Sequence, residues 1–319
     1  MSAQQGIAGA QPATGMPHPG KAHPEQVAAT HANVLAGSPA RSRYAEVASG
    51  QRLHLIEVGE GEPLVLIHGS GPSALLFLPL MERLVGVRAI AVDRPGFGLS
   101  DPDPGSSQHV SFRDAAVRTV DTILDTLGLD ATLLLGNSMG GTWAVWYALA
   151  HRDRVRKLVL LGTPPLLPGT RVPPPMLAVA GPPSSEPPQM PLPSAETVVQ
   201  SLAIFGEADT IVRYPDQIEA RVAAGYDQLA ANASLSELRA TIAPTGWRPT
   251  LEMAEEELRE LAVPALLIWG DHDPVGGADV AQLTADTIPA ARLEMLAAGH
   301  APWLGHPART ASLVSEFLR

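Results

Sequence analysis

No cysteine occurs in the 319 residues, which excludes disulfides and cysteine-ligated metal centres and fits a cytoplasmic setting. Runs of Lys or Arg are missing too, and the formal net charge is −11. Nucleic acid and anionic membranes are therefore poor partners, since both need clustered cations. No apolar stretch approaches the ~20 residues of a membrane span; the longest are of strand length. Met1–Pro24 carries one Lys but no apolar h-region, so it reads poorly as a secretory signal. What remains is a chain long enough for one α/β domain with an inserted segment, working on a small molecule. Its oligomeric state is not written in the sequence.

Residues 1–40 stand apart. The stretch to Pro24 is rich in Gly, Pro, Gln and Ala and reads as a disordered tail, while Glu25–Leu35 can form a short helix. His18, His23 and His31 are irregularly spaced and read as solvated rather than metal-ligating. Tyr44–Ala48 and Leu53–Val58 then form a hairpin about Ser49-Gly50. Strands alternate with helical patterns beyond it, which implies a mostly parallel sheet covered on both faces. One helix is clear. It follows Ser111, has Asp114 three residues on, buries Phe112, Ala116, Val120, Ile123, Leu124 and Leu127, and stops at Gly128. Trp143 and Trp146 read as core.

Chemistry enters at Gly136-Asn137-Ser138-Met139-Gly140, between a strand at Thr132–Leu135 and a helix at Thr142–Ala150. Ser with Gly two residues away on each side, on a strand-to-helix turn, is the nucleophile elbow. Small residues at 136 and 140 let strand and helix cross, and the helix N-terminus faces developing negative charge. A base and an acid follow in order. Asp273 comes after the apolar run Ala265–Ile268, and His300 after the strand Arg292–Leu296. The order Ser138, Asp273, His300 differs from the two best-known serine protease orders. Near the front, the strand Pro63–Ile67 runs into His68-Gly69-Ser70-Gly71-Pro72, which assigns the oxyanion hole to the backbone N–H groups of Ser70 and Met139. His68 reads as structural, because no carboxylate is near it in sequence.

Together these motifs resemble the α/β-hydrolase superfamily. Asp93-Arg94-Pro95-Gly96-Phe97-Gly98-Leu99-Ser100 matches its D-x-P-G-x-G-x-S turn, Val263-Pro264 with Leu266–Gly270 its run-up to the acid, and Gly299-His300 with His306-Pro307 its tail. The likeness covers roughly residues 42–319 apart from a divergent middle, and selects Asp273 over Asp271 and His300 over His306. One departure is Gly305, where many relatives carry Glu. The resemblance implies an eight-stranded α/β sheet with helices on both faces, a core of residues 41–163 and 256–319, and a cap over 164–255. That cap begins with twelve prolines in the thirty positions 164–193, a stretch that excludes regular helix or central strand. Helical patterns follow at 194–206, 215–232 and 234–242.

The expected activity is hydrolysis of a carboxylic ester through Ser138, His300 and Asp273 by way of an acyl-enzyme, with no metal and no organic cofactor. Leu75, Leu76, Phe77, Leu78, Trp303 and Leu304, with the lid's Leu166 and Met176, suggest an apolar pocket; Leu75, Phe77, Leu166, Met176 and Trp303 are its candidate lining. The alternative is carbon–carbon bond hydrolysis, because the His68–Pro72 and Gly136–Gly141 segments also resemble meta-cleavage product hydrolases. Those relatives carry an Asn soon after the oxyanion loop, where Ala74–Leu80 is almost wholly apolar, and an Arg that grips the substrate carboxylate. Arg171, Arg213 or Arg221 could serve. A ligand receptor on the same fold is a third reading, one that slow single-turnover hydrolysis with ligand-dependent partner binding would reveal.

Overall fold

Strand-length apolar runs separated by helical periods assemble into one eight-stranded sheet in the computed structural model, which describes residues 24–71, 73–103, 110–180 and 192–319. In chain order, α1 (Pro24–Leu35) precedes β1 (Arg41–Glu46), β2 (Arg52–Val58) and β3 (Glu62–Ile67). A 3₁₀ turn at Ala74–Phe77 and α2 (Leu78–Met81) lead to β4 (Val87–Val92). Then come α3 (Phe112–Thr126), β5 (Thr132–Asn137), α4 (Met139–Ala150) and β6 (Val155–Leu161). An insertion carries α5 (Pro174–Ala180), α6 (Ala195–Ala203), α7 (Ala208–Ile211), α8 (Pro215–Gly225), α9 (Gln228–Thr241) and a small hairpin of β7 (Ile242–Ala243) with β8 (Gly246–Trp247). α10 (Glu255–Arg259), β9 (Ala265–Gly270), α11 (Ala278–Thr287), β10 (Ala291–Leu296), α12 (Pro302–Gly305) and α13 (Pro307–Leu318) follow.

The strand order is β1-β2-β4-β3-β5-β6-β9-β10. β2 pairs antiparallel with both β1 and β4, and every other pair is parallel. Alternation along β3 explains the two-sided core: Val65 and Ile67 pack with α3 and α4, Leu64 and Leu66 with α2 and α13. β5 and β9 are buried at every position, as parallel strands covered on both faces must be. α3 begins as its sequence predicts. Ser111 Oγ accepts the Asp114 N–H at 3.1 Å, and Ala116, Val120, Ile123 and Leu124 are buried. Among the described residues, no helix is long and apolar enough to cross a membrane.

Three expectations need correction. The helix expected at Glu25–Leu35 forms as α1, but residues 24–40 are not a tail apart from the core: α1 packs on α8, with Val27, Thr30 and His31 buried. His31 therefore leaves the solvated set and lies edge-on to His54, ring centroids 5.6 Å apart; His18 and His23 lie outside the described residues. The Pro-rich stretch does form helix at α5, because Pro174 and Pro175 fall in its first turn, where a missing N–H costs nothing. Much of that stretch, residues 181–191, lies outside the described residues. Finally, the helical patterns at 215–232 and 234–242 divide elsewhere, since Asp227 caps α9 by accepting the Leu229 and Ala230 N–H groups.

His31, His54 and Asp93 bring ligand-type atoms within 4.8 Å of one another. Hydrogen bonds already engage this cluster. Asp93 accepts His54 Nδ1 at 2.8 Å, the Leu99 N–H at 2.9 Å and the Ala74 N–H at 2.7 Å, while His54 Nε2 meets Ser42 Oγ at 2.7 Å. Asp93 thereby ties the turn after β4 to the segment that follows the His-Gly loop.

Candidate active site

At the end of β5 the chain reverses through Ser138, whose φ of 53° and ψ of −127° are strained for a residue with a side chain. The crossing is tight. A Cβ on Gly136 would collide with the Gly140 carbonyl oxygen, and one on Gly140 with the Ile67 carbonyl oxygen. Side chains at 136 and 140 are excluded by backbone, so the glycine spacing is a steric requirement of the elbow.

Asp273 follows β9 and His300 follows β10, and the parallel register of those strands brings the two loops together. His300 Nδ1 lies 2.8 Å from Asp273 Oδ2. The same carboxylate oxygen accepts the Thr163 N–H at 2.9 Å and the Thr163 hydroxyl at 2.6 Å, and Oδ1 accepts the Val275 N–H at 3.0 Å. Burial alone would raise the Asp273 pKa, but the charge and hydrogen bond of His300, with the two Thr163 donors, outweigh it and hold the carboxyl below its usual range. For His300, burial works against the charged ring; Asp273, with a smaller contribution from Glu207, outweighs it and raises the pKa. A carboxylate so held fixes Nδ1 as the protonated nitrogen and leaves Nε2 as a base. Nε2 is buried and makes no hydrogen bond to any described residue; it belongs to the cavity that Ser138 also lines. Asp271, by contrast, is exposed and accepts the Ala298 N–H at 3.1 Å, while His306 precedes α13 and meets the Ala297 carbonyl.

The cavity has a volume of about 830 Å³ and is lined by Ser70, Asn137, Ser138, Met139 and His300 beneath residues of the insertion. Only Met176 of the five expected pocket residues lines it. Leu75 and Phe77 belong to the core on the α2 side, because the 3₁₀ turn presents Leu76 to the cavity instead. Trp303 packs on Phe77 at 5.4 Å and donates its indole N–H to the Leu76 carbonyl, leaving Leu304 at the cavity. Leu166 is buried in the core on the α4 side.

An arginine and a glutamate of the insertion line the cavity among its polar residues. Arg221 on α8 lines it, and burial, opposed by the charge of Glu207, lowers its guanidinium pKa to about 10. The other two candidate clamps are elsewhere: Arg171 is 77% exposed and 3.7 Å from Asp279, and Arg213 is exposed outside the lining. Glu207 was not singled out by its sequence. Its Oε1 accepts the Ala301 N–H at 2.6 Å, next to the base, and its buried Oε2 has no hydrogen-bond partner. Burial lifts this carboxyl to about 7 against the opposing pull of the Ala301 N–H and His300. Phe205, two residues earlier, stacks on His300 at 5.3 Å and accepts the His300 N–H at 2.9 Å. The insertion thus grips the His300 loop directly.

Known proteins resemble this chain in sequence and fold. The family model of the alpha/beta hydrolase fold matches residues 62–182. The 2-hydroxymuconate semialdehyde hydrolase of Pseudomonas sp. (strain CF600) is 32% identical over 85% of this chain and 92% of its own. Among solved structures, the meta-cleavage product hydrolase of Pseudomonas fluorescens IP01 superposes with a TM-score of 0.69 at 27% identity, covering 86% of this chain and 96% of that one. A carboxylesterase of Bacillus subtilis reaches a TM-score of 0.72 at 22% identity over 92% and 97% of the two chains, a likeness of fold.

Proposed function

The chain belongs to the α/β-hydrolase family, and from that premise we propose that this hydrolase cuts a carbon–carbon bond in a small oxo-dienoic acid of the meta-cleavage type. One observation carries the choice over a simple ester: Arg221, a cation in the wall of an otherwise largely apolar cavity that also holds Ser138 and His300. A neutral ester has no use for a half-buried guanidinium in the cavity wall, whereas a carboxylate offers it a bidentate partner. The relatives' names describe 2-hydroxy-6-oxo unsaturated acids, which carry a carboxylate at C1 and an electrophilic carbonyl at C6.

In this reading Arg221 holds the carboxylate and the 6-oxo carbon lies over Ser138. His300 takes the hydroxyl proton as Ser138 Oγ adds to that carbonyl, and the Ser70 and Met139 N–H groups hold the oxyanion. The 2-hydroxydiene first becomes the 2-oxo form, its hydroxyl proton moving to C5; the C5–C6 bond then breaks with its electron pair on C5, conjugated with the 2-oxo group, and C5 takes the proton from His300. Water, deprotonated by His300, then cleaves the acyl-enzyme to a carboxylic acid. Asp273 stabilises the imidazolium in both halves. We assign the lid role to residues 164–255, whose α6, α8 and α9 roof the cavity.

Loss of the conjugated absorbance of 2-hydroxy-6-oxohexa-2,4-dienoate, compared with release from p-nitrophenyl butyrate, tests this. The dienoate should be turned over with a kcat/KM at least ~100-fold above the ester, and Ser138→Ala should lower both by ~10⁶. Arg221→Met should cost the free acid at least ~10-fold more than its methyl ester. Ester hydrolysis is the second reading, favoured by Leu76, the apolar residue that lines the cavity shortly after the oxyanion loop. Efficient ester turnover with an inert dienoate would establish it.

A further inference from the structure

A single peptide plane links the oxyanion hole to a buried ion pair. The Gly69–Ser70 peptide is trans, so its carbonyl and its N–H point in opposite directions and cannot turn independently. That carbonyl is held twice, by Arg94 Nη2 at 2.8 Å and by His68 Nδ1 at 2.8 Å. His68 Nε2 accepts the Arg94 N–H at 3.0 Å, which places the ring proton on Nδ1. Burial, with the Arg94 charge, lowers the His68 pKa to about 3, so the ring stays neutral. Whatever fixes Arg94 and His68 therefore also aims the Ser70 N–H.

Arg94 is fully buried, with its guanidinium 4.4 Å from the Trp143 ring and 4.7 Å from the Phe97 ring. A cation at that depth needs a counter-charge. It comes from the insertion: Glu237 on α9 accepts Arg94 Nη1 at 3.2 Å and Nη2 at 3.0 Å. The same Glu237 Oε1 accepts the Ser70 hydroxyl at 3.0 Å. Both ends of the oxyanion peptide thus lead to one carboxylate, 143 residues from Arg94 and 167 from Ser70.

We propose that Glu237 is a positioning residue for the oxyanion hole, which is complete only while α9 is seated on the core. A plain staple between insertion and core would touch neither the Gly69 carbonyl nor the Ser70 side chain; this one reaches both. α9 also lines the cavity through Ser234 and Leu238, so a substrate that fills the cavity presses on the helix that sets the hole. The inference rests on the serine-hydrolase reading above, but not on which bond is cut.

Ethyl p-nitrophenyl methylphosphonate tests it without the natural substrate. Ser138 Oγ forms a bond to phosphorus, the bond to p-nitrophenolate breaks, and His300 takes the serine proton. The wild type should release p-nitrophenolate stoichiometrically and Ser138→Ala none. Ser70→Ala and Glu237→Gln should each slow the covalent step by ~10-fold with the probe's initial binding within about twofold of wild type. The double variant should be no slower than Glu237→Gln within about twofold, since both act on one peptide. The apolar exchange Arg94→Met with Glu237→Leu removes the buried charges together, so it should fold yet react as slowly. Wild-type rates in these variants, or losses that multiply in Ser70→Ala/Glu237→Gln, would overturn the proposal. A wild type that does not react would instead sink the serine-hydrolase reading beneath it.

Discussion

Glu207 is 1% exposed, contacts the His300 loop and leaves one carboxyl oxygen unpaired, so ionising it is costly. Its pKa near 7 lies above the ~4.3 of an unfolded Glu, and the folded state keeps that proton longer. The stability this group contributes is thus fully present below about pH 4.3, falls as pH rises toward 7, and is flat above. The loss is on the order of 3 kcal/mol. Glu207→Gln removes the ionisation while its amide oxygen can still accept the Ala301 N–H. Thermal unfolding from pH 4.5 to 8.5 should therefore show the variant gaining on the wild type up to about pH 7, then running parallel. A constant gap would mean that Glu207 ionises freely. Ser138, Asp273 and His300 were legible as candidates because each ends a strand within a local motif. Glu207, Thr163 and Glu237 were not, because their partners Ala301, Asp273 and Arg94 lie 94, 110 and 143 residues away.

Elements divide along the same line. α3 is readable by its period and β3 to β6 by their apolar runs, because one face or both meet a continuous core, and a local cap marks the start of α3. The pocket lining was misread for a geometric reason: in a 3₁₀ turn successive side chains diverge by about a third of a circle, so of Leu75, Leu76 and Phe77 only the middle one meets the cavity. The elbow gives the sharper element-scale prediction. Gly140→Ala places a methyl against the Ile67 and His68 carbonyl oxygens, which belong to the backbone of the crossing strand's end and cannot swing aside. Gly128→Ala, at φ +67° with nothing within 4 Å, meets only conformational strain. Urea unfolding should show a cost of about 1–2 kcal/mol at 128 and about 3 kcal/mol or more at 140. The 140 variant should also lose phosphonate labelling of Ser138. Equal costs would mean that strand β3 and the elbow are not in the contact described.

At the scale of the whole molecule, three of the fastenings between the insertion and the core bear on the site. Glu237 meets Arg94, Glu207 meets Ala301, and α8 is backed by α1 while Gln217 donates to the Leu75 carbonyl at 2.7 Å. The third rests on α1, readable as a short helix in a segment set apart from the core. α1 buries Val27 completely, sets Val34 and Leu35 against the α13 side of the core, and brings His31 to His54. Its removal uncovers the helix that carries Arg221. Each well-buried aliphatic side chain is worth about 1.5–3 kcal/mol and the two half-buried ones less, so deletion of residues 1–38 should cost about 2–5 kcal/mol in urea unfolding. Deletion of residues 1–23 leaves these contacts in place and is the control against which the longer deletion is read. Function should follow the same division. With α8 loosened, the shorter protein should bind a carboxylate substrate less tightly, raising KM several-fold, while the active-site titre with the phosphonate stays near one per chain. If KM and the unfolding midpoint are unmoved by the longer deletion, α1 does not brace α8, and Arg221 is held by the insertion's contacts with the core.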